Sequence, residues 1–335
     1  MITLAQIGAG DWGQNHIRIF SGLKDCFLKV CCDKRKDVLE KIGTIYNKRL
    51  RLTTNFQDIL QDNEIEAVVI ATSAPTHAFL AIEAFSAGKH VFIEKPLALT
   101  LEDGIKIQEA AQRNKRILMV GHLLLYHPAV LKLKSYIESG QLGKILYLYS
   151  TRVNLGRIRE EESALWSLTS HDISVALFLL DDIPEEVSAK GDSYLRKGIE
   201  DVVFMTLRFK NDILTHIHAS WLDPHKMRKF TVVGSKKMAV FDDMQPSEKI
   251  RIYDKGVDRK VDYKTYAEYL ALRDGDINIP RIEMKEPLQI ECQHFLDCIM
   301  NNHKPITNGE NGLEVLKVLS AAQKSLEANG DSVKI

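Results

Sequence analysis

Thr3-Leu-Ala-Gln-Ile-Gly-Ala-Gly-Asp-Trp-Gly13 decides the fold: a short apolar strand runs into Gly8, Gly10 and Gly13 and then into a helical pattern. Gly8 allows a tight turn out of the strand, Gly10 lets backbone N–H groups approach a pyrophosphate, and Gly13 lets the helix pack closely on the sheet. The helix start, at Asp11 and Trp12, then faces the phosphates. Its N–H groups and positive dipole end favour an anion without any basic side chain.

Glycine triplets also arise in ordinary turns, so the flanks matter. Ile17 to Leu23 continues the helix, Phe27 to Cys32 makes a second apolar strand, and Asp33 follows 20 residues beyond Gly13. At that distance an acid reaches the ribose hydroxyls of a bound dinucleotide. A carboxylate there repels a 2′-phosphate, which argues for NAD. Lys34 and Arg35 are each able to accept that phosphate, so NADP is the alternative.

Working outward, residues up to about Gly121 alternate apolar runs with helical stretches, the pattern of a parallel sheet covered on both faces. Strands are expected at Thr3 to Ile7, Phe27 to Cys32, Ala67 to Ile70, His90 to Ile93 and Ile117 to Val120. Helices are expected at Asp11 to Leu23, Lys36 to Tyr46, Asn55 to Gln61, Thr76 to Ala87 and Leu101 to Arg113. Ligands bind beyond the carboxyl ends of such strands. Two of those ends are unusual: Ala71-Thr-Ser-Ala-Pro-Thr-His77, with Thr72, Ser73 and His77 as cofactor contacts, and Glu94-Lys95-Pro96. A lysine between an apolar strand and a proline sits on restricted backbone, which suits a side chain that must be aimed.

From His122 the pattern changes. Pro128 opens a helix running to about Ser139, and Gly140 ends it. Strand-like runs follow at Lys144 to Val153, Val187 to Gly191, Val202 to Phe209, Ile213 to Trp221, Lys229 to Gly234 and Met238 to Asp242, with Ser170 to Leu180 helical among them. This predicts a large, mainly antiparallel open sheet with a helical layer. Residues from Ile250 to Pro287 are polar and carry no assignable pattern; helices at Leu288 to Asn301 and Glu310 to Ala328 close the chain. The expected division is thus an α/β Rossmann domain over residues 1–121 and an α+β domain for substrate binding and oligomerisation over residues 122–335.

The 335 residues suffice for two cores, and 45 basic residues balance 45 acidic ones, which gives no reason to expect a nucleic-acid partner. No apolar run approaches the length of a membrane helix, and the chain starts on a strand with no cationic, apolar leader, so a cytoplasmic protein is expected. The five cysteines show no C-x-x-C spacing. Buried thiols are expected, and no metal site.

With these motifs in hand, including Ala87-Gly-Lys-His-Val-Phe-Ile-Glu-Lys-Pro-Leu-Ala98, Ser220-Trp221, Val233-Gly-Ser235 and Pro305-Ile-Thr-Asn-Gly-Glu-Asn-Gly-Leu313, nearly the whole chain resembles the Gfo/Idh/MocA oxidoreductases. The resemblance implies an NAD(P)-dependent enzyme acting on sugars, cyclitols or their derivatives. Gly121-His-Leu-Leu-Leu-Tyr-His-Pro-Ala-Val130 and Leu165-Trp-Ser-Leu-Thr-Ser-His-Asp-Ile-Ser174 are similar to a narrower group, the UDP-N-acetylglucosaminuronate 3-dehydrogenases of surface-polysaccharide synthesis. These oxidise the sugar 3-hydroxyl to a ketone.

Taking a hydride from a carbon that bears a hydroxyl leaves a carbonyl, provided the hydroxyl proton departs to a base near the working pH. Lys95 and His171 are the candidates, with His171 as acid/base and Lys95 orienting the hydroxyl and sharing the proton. Many family members carry an aspartate four residues before the histidine, where this chain has Ser167. The nearest carboxylate in sequence is Asp172, which points about 100° away from His171 and is free to serve the helix N-terminus instead.

For substrate, Asn154-Leu-Gly-Arg-Ile-Arg159 offers Arg157 and Arg159 to a carboxylate or diphosphate, although Glu160, Glu161 and Glu162 make a solvated mixed-charge loop an equal reading. His122, Tyr126, Lys226 and Arg228 are further substrate contacts implied by the resemblance and by their places at element ends. Three functions stay open: this dehydrogenase, a dehydrogenase or ketoreductase of another sugar or cyclitol, and a non-catalytic sensor on the same fold. Apolar residues such as Ile213, Leu214, Ile217 and Trp221 suggest that the second domain's sheet pairs in a homodimer or homotetramer.

Overall fold

In the computed structural model, which describes residues 1–46, 50–156, 162–259 and 270–335, the opening stretch forms β1 (Ile2–Ile7), the turn and α1 (Asp11–Gly22). There follow β2 (Cys26–Cys32), α2 (Lys36–Tyr46), β3 (Arg51–Thr53), α3 (Gln57–Leu60), β4 (Ala67–Ile70), α4 (His77–Ser86), β5 (His90–Glu94), α5 (Leu101–Arg113) and β6 (Leu118–Gly121). The sheet order is β3-β2-β1-β4-β5-β6, with every pair parallel. Ala67, Val68, Val69 and Ile70 are all buried, as a strand covered on both faces requires. The order reverses between β1 and β4, and the crevice at such a point is where nucleotides bind. Strand β3, which the sequence pattern does not reveal, has only three residues and is partly exposed.

The chain divides into two compact units, and they are not consecutive in sequence. Residues Met1–Tyr126 group with Lys285–Lys317, and His127–Met284 with Val318–Ile335. The expected cut at residue 121 thus leaves out a returning segment. Helix α6 (Pro128–Glu138) and α7 (Ser170–Leu180) belong to the second unit, while α8 (Pro287–Asn301) returns to the first. Leu288, Cys292, Phe295 and Leu296 of α8 are buried, and Phe295 meets Phe92 of β5 edge-on at 5.7 Å between ring centres. The start of the last helix, α9 (Gly309–Glu327), packs Leu313 and Leu316 against Gly104 of α5.

The second unit is built on a nine-stranded sheet. Its strands are β7 (Ile145–Val153), β8 (Glu186–Asp192), β9 (Val202–Arg208), β10 (Leu214–Ser220), β11 (Met227–Gly234), β12 (Met238–Asp242), β13 (Ile250–Arg259), β14 (Leu270–Asn278) and β15 (Val333–Lys334), in the order β14-β13-β12-β11-β7-β10-β9-β8-β15. β7 and β10 pair in parallel, and the other pairs are antiparallel. Alternation is clear in β9 and β10: Val203, Met205, Leu207, Ile217 and Ala219 are buried, while Phe204, Leu214 and His216 face out. The unassigned stretch after Ile250 holds β13 and β14. β14 is the edge strand and β13 lies next to it; β13 is buried at Ile250 and Ile252, and its further residues Arg251, Asp254, Lys255 and Gly256 are polar or glycine, so no apolar alternation marked the pair. Among the described residues, no helix is long and apolar enough to cross a membrane.

Candidate active site

In the first unit, the three glycines of the turn serve different ends. Gly8 has φ +89°, and a Cβ on it would lie 2.5 Å from the Ala71 carbonyl oxygen. A Cβ on Gly13 would lie 2.1 Å from the Gly8 carbonyl oxygen. Both are fixed by packing. At Gly10 the nearest atom is Arg35 Nη2, 3.6 Å from the Cβ position, so the space above the turn is open. Gly10 is also the N-cap of α1 and gives the helix no side-chain cap. The start of α1 thus keeps its capacity for an outside anion.

Asp33, just past β2, bends back to this turn. Its Oδ2 accepts the backbone N–H of Ala9 at 2.8 Å and Arg35 Nη2 at 3.2 Å, and its Oδ1 accepts the Arg35 backbone N–H at 2.9 Å. Burial alone would raise its pKa, but these donors together hold the carboxyl below its ordinary range. Lys34 is exposed. At the end of β4, Thr72 lies against Gly8 and its hydroxyl meets Thr76 at 2.7 Å, while Ser73 is exposed. His77 is buried, with Nδ1 2.8 Å from the Pro96 carbonyl and Nε2 3.2 Å from that of Thr72. It ties together the two loops that leave β4 and β5.

Glu94 ends β5, and Lys95 follows in a cis peptide with Pro96. Glu94 is turned inward. Its Oε1 meets Trp12 Nε1 and, at 2.7 Å, His16 Nε2, and its Oε2 accepts the Lys95 backbone N–H at 3.2 Å. Trp12 and His16 are one helical turn apart on α1, so both reach one carboxylate. Although burial works against it, the His16 and Trp12 contacts and the Lys95 charge keep Glu94 below the ordinary carboxylate range.

Around this carboxylate lie groups with fewer partners. His122, just after β6, is buried with no hydrogen-bond partner on either ring nitrogen among the described residues, and burial pushes its pKa down to about 4. Glu291 of α8 is fully buried, and both its carboxyl oxygens are unpartnered among the described residues. Burial and the nearby Glu94 charge hold it well above the usual range, hence protonated. Sequence reasoning singled out neither His16 nor Glu291, because each acquires its role only through a partner far away in the chain. Tyr126 is buried, and its hydroxyl lies 3.1 Å from Thr307 Oγ1.

In the second unit, a π-helical turn over Leu165–Thr169, with Ser167 buried, leads into α7. His171 is the second residue of α7 and half-buried. Asp172 does not serve the helix start. Arg152 of β7 grips it bidentately, Nε to Oδ2 at 2.5 Å and Nη2 to Oδ1 at 3.2 Å, and the pair is buried. Asn154 is half-buried, and its backbone N–H bonds to the Ser220 carbonyl at 3.0 Å. Lys226 is exposed, and Arg228, also exposed, reaches Asp243 at 3.4 Å. Arg157 and Arg159 lie outside the described residues.

A parallel sheet with a glycine turn at its switch point, an acid after β2 and a lysine after β5 defines a dinucleotide-dependent oxidoreductase. The sequence model of the oxidoreductase family GFO/IDH/MocA, NAD-binding Rossmann fold, matches residues 2–122, and that of the GFO/IDH/MocA C-terminal domain matches residues 130–240. The chain belongs to this family: it is an NAD-dependent dehydrogenase acting on CH–OH donors. It is similar to the myo-inositol 2-dehydrogenase of Thermotoga maritima, at 27% identity over 97% of this chain and 96% of that one. It is also similar to inositol 2-dehydrogenase 2 of Saccharopolyspora erythraea, at 34% identity over 64% of this chain and 66% of that one. Among solved structures, UDP-N-acetylglucosamine 3-dehydrogenase GnnA from Acidithiobacillus ferrooxidans superposes with a TM-score of 0.83 at 22% identity, covering 98% of each chain. That likeness is one of fold.

Proposed function

We propose that this dehydrogenase oxidises a ring hydroxyl of a sugar, most specifically the 3-hydroxyl of a UDP-N-acetylglucosaminuronic acid type of nucleotide sugar. The observation that carries the reading is Lys95, set at the carboxyl end of β5 and backed by the Glu94 carboxylate that holds its backbone N–H. When bound, NAD supplies the hydride acceptor. The turn fits it: open space at Gly10, an uncapped helix start at Asp11, Trp12 and Gly13, and an ionised Asp33 for the ribose. Lys34, Arg35, Thr72, Ser73, Gly8, His77 and Glu94 are the further residues proposed to hold the cofactor.

Lys95 orients the hydroxyl and stabilises the oxygen as its proton leaves, and His171 takes that proton. His122, kept neutral, is suited to hydrogen-bond a sugar hydroxyl without a charge of its own. Asn154, Lys226 and Arg228, with Arg157 and Arg159, are the groups proposed for the acidic part of the substrate.

A second reading, oxidation of a cyclitol, is favoured by the full-length similarity to a myo-inositol 2-dehydrogenase. Against it stand Ser167 in place of the aspartate found in many members and the engagement of Asp172 by Arg152. Purified protein with NAD should reduce it in the presence of UDP-sugar acids and not of myo-inositol or free sugars. The reverse order of rates would transfer the assignment to cyclitols. The Lys95→Met variant should bind NAD and transfer no hydride; full turnover by it would remove Lys95 from the reaction.

The outward face of the large sheet presents Tyr147, Tyr149, Phe204, Leu214 and His216, and Phe204 stacks on His218 at 4.4 Å. A second copy of the chain covers this face in the proposed assembly. Light scattering on a Tyr149→Glu, Phe204→Glu variant should give half the native mass or less.

A further inference from the structure

The lysine turn is tied to the cofactor helix by a chain of buried contacts that the proposed chemistry does not yet use. Glu94 Oε1 lies 2.7 Å from His16 Nε2, and His16 Nδ1 lies 3.7 Å from the Cys292 sulfur. An ionised carboxylate has no proton to give, so His16 donates from Nε2. In the neutral ring Nδ1 is then the acceptor, and the neighbour offered to it among the described residues is the thiol of Cys292. Burial, with the Glu94 charge nearby, holds that thiol well above its ordinary range, so it keeps the S–H it must donate.

The ring is fixed in place as well. His16 is fully buried, stacked on Phe20 at 6.2 Å and met edge-on by Phe92 at 5.0 Å. The groups facing Glu94 are thus known from every side: Trp12 and His16 from α1, Lys95 from its own turn, His122 from the end of β6, and Glu291 with Cys292 from α8.

We propose that His16 is a positioning residue for the dehydrogenase reaction. Cys292 S–H fixes its tautomer, its Nε2–H holds Glu94 Oε1, and Glu94 Oε2 holds the backbone N–H of Lys95. The helix whose start receives the diphosphate is thereby latched to the turn that carries the reacting lysine. Outer partners of this sort, which orient a working group through a carboxylate, are commonly worth about 10- to 100-fold in activity. The inference rests on the assignment of Lys95 to the reaction.

Three measurements test it. In the folded wild-type protein, ¹⁵N NMR of His16 should show the Nε2–H tautomer when the ring is neutral; a neutral ring with its proton on Nδ1 overturns the chain. His16→Phe should keep its fold and its NAD affinity to within about threefold, lower kcat about 10- to 100-fold, and shift the acid limb of kcat to higher pH, because Glu94 has lost a donor. His16→Gln, which can still offer an N–H near the Nε2 position, should recover most of kcat. Equal losses in the two variants, or a kcat within about twofold of wild type in His16→Phe, would reduce His16 to packing. Should His16→Phe not fold, Cys292→Ala against Cys292→Ser reads the same link, with only the serine variant retaining the tautomer and kcat. The two assignments fail separately. An active Lys95→Met variant removes the lysine, whereas an inactive Lys95→Met beside a fully active His16→Phe removes only the latch.

Discussion

The carboxylate of Asp33 accepts the backbone N–H of Ala9 at 2.8 Å, so the acid after β2 braces the glycine turn as well as facing the cofactor's ribose side. Arg35 closes over the same carboxylate and reaches toward the space above Gly10. Asp33 repels a 2′-phosphate and Arg35 attracts one, which sets the two against each other. Arg35→Ala should leave NAD affinity within about threefold and weaken NADP by about 10- to 100-fold, the loss of one charge-assisted contact. Fluorescence titration with both reduced cofactors reads this directly. An unchanged ratio would mean that Arg35 serves Asp33 alone.

Gly10 separates binding from folding. Its φ of −66° suits any residue, and an added Cβ meets nothing closer than 3.6 Å. Gly10→Ala should therefore match or exceed wild-type stability by about 0.5 kcal/mol, while NAD affinity drops about tenfold or more because the methyl fills the diphosphate's approach. Gly8→Ala, at φ +89° and 2.5 Å from a carbonyl oxygen, should lose more than about 1 kcal/mol in urea unfolding. Equal behaviour of the two variants would contradict the division of labour drawn from the turn.

The buried pair Arg152–Asp172 is a framework element of the second unit. Removing one member leaves the other charge buried and uncompensated, at a cost of about 3–5 kcal/mol. Asp172→Ala should show that loss in urea unfolding. A loss below about 1 kcal/mol would indicate that water reaches Arg152 freely.

Local signals explain what was legible in the sequence. The glycines, Asp33 and Lys95 each sit at the end of an apolar strand, where a short motif and its flanks suffice, and the parallel and antiparallel halves follow from their strand patterns. Strand β3 and the β13–β14 edge hairpin carry too little buried surface to leave a pattern. His16 meets Glu94 across 78 residues and Cys292 across 276, and Arg152 meets Asp172 across 20. No periodicity encodes such encounters. The returning segment 285–317 escaped for the same reason: its helices look alike whichever unit they cover.

Acid should destabilise the protein well above the range where its carboxylates titrate. Burial lowers His90 and His122 to about 4, and His127 and His294 are lowered as well. Unfolded, each histidine binds its proton near pH 6.5, so between 6.5 and about 4 the unfolded chain holds more protons and stability is lost as pH falls. Within that window His90 and His122 each contribute up to about 1.4 kcal/mol per pH unit, and His127 and His294 act in the same direction. Glu291 acts in the opposite sense. Its folded pKa is raised, so its contribution is complete at low pH and is lost as pH rises above about 4.5. One acid against several histidines leaves a net loss toward acid, and urea unfolding at pH 7, 6 and 5 should show it falling by about 1 kcal/mol per unit or more. Glu291→Gln removes the opposing contribution, so it should be more stable than wild type at pH 7 and lose stability more steeply on acidification. A variant less stable than wild type at pH 7 would mean that Glu291 is ionised and paired in the folded protein, contrary to its unpartnered oxygens.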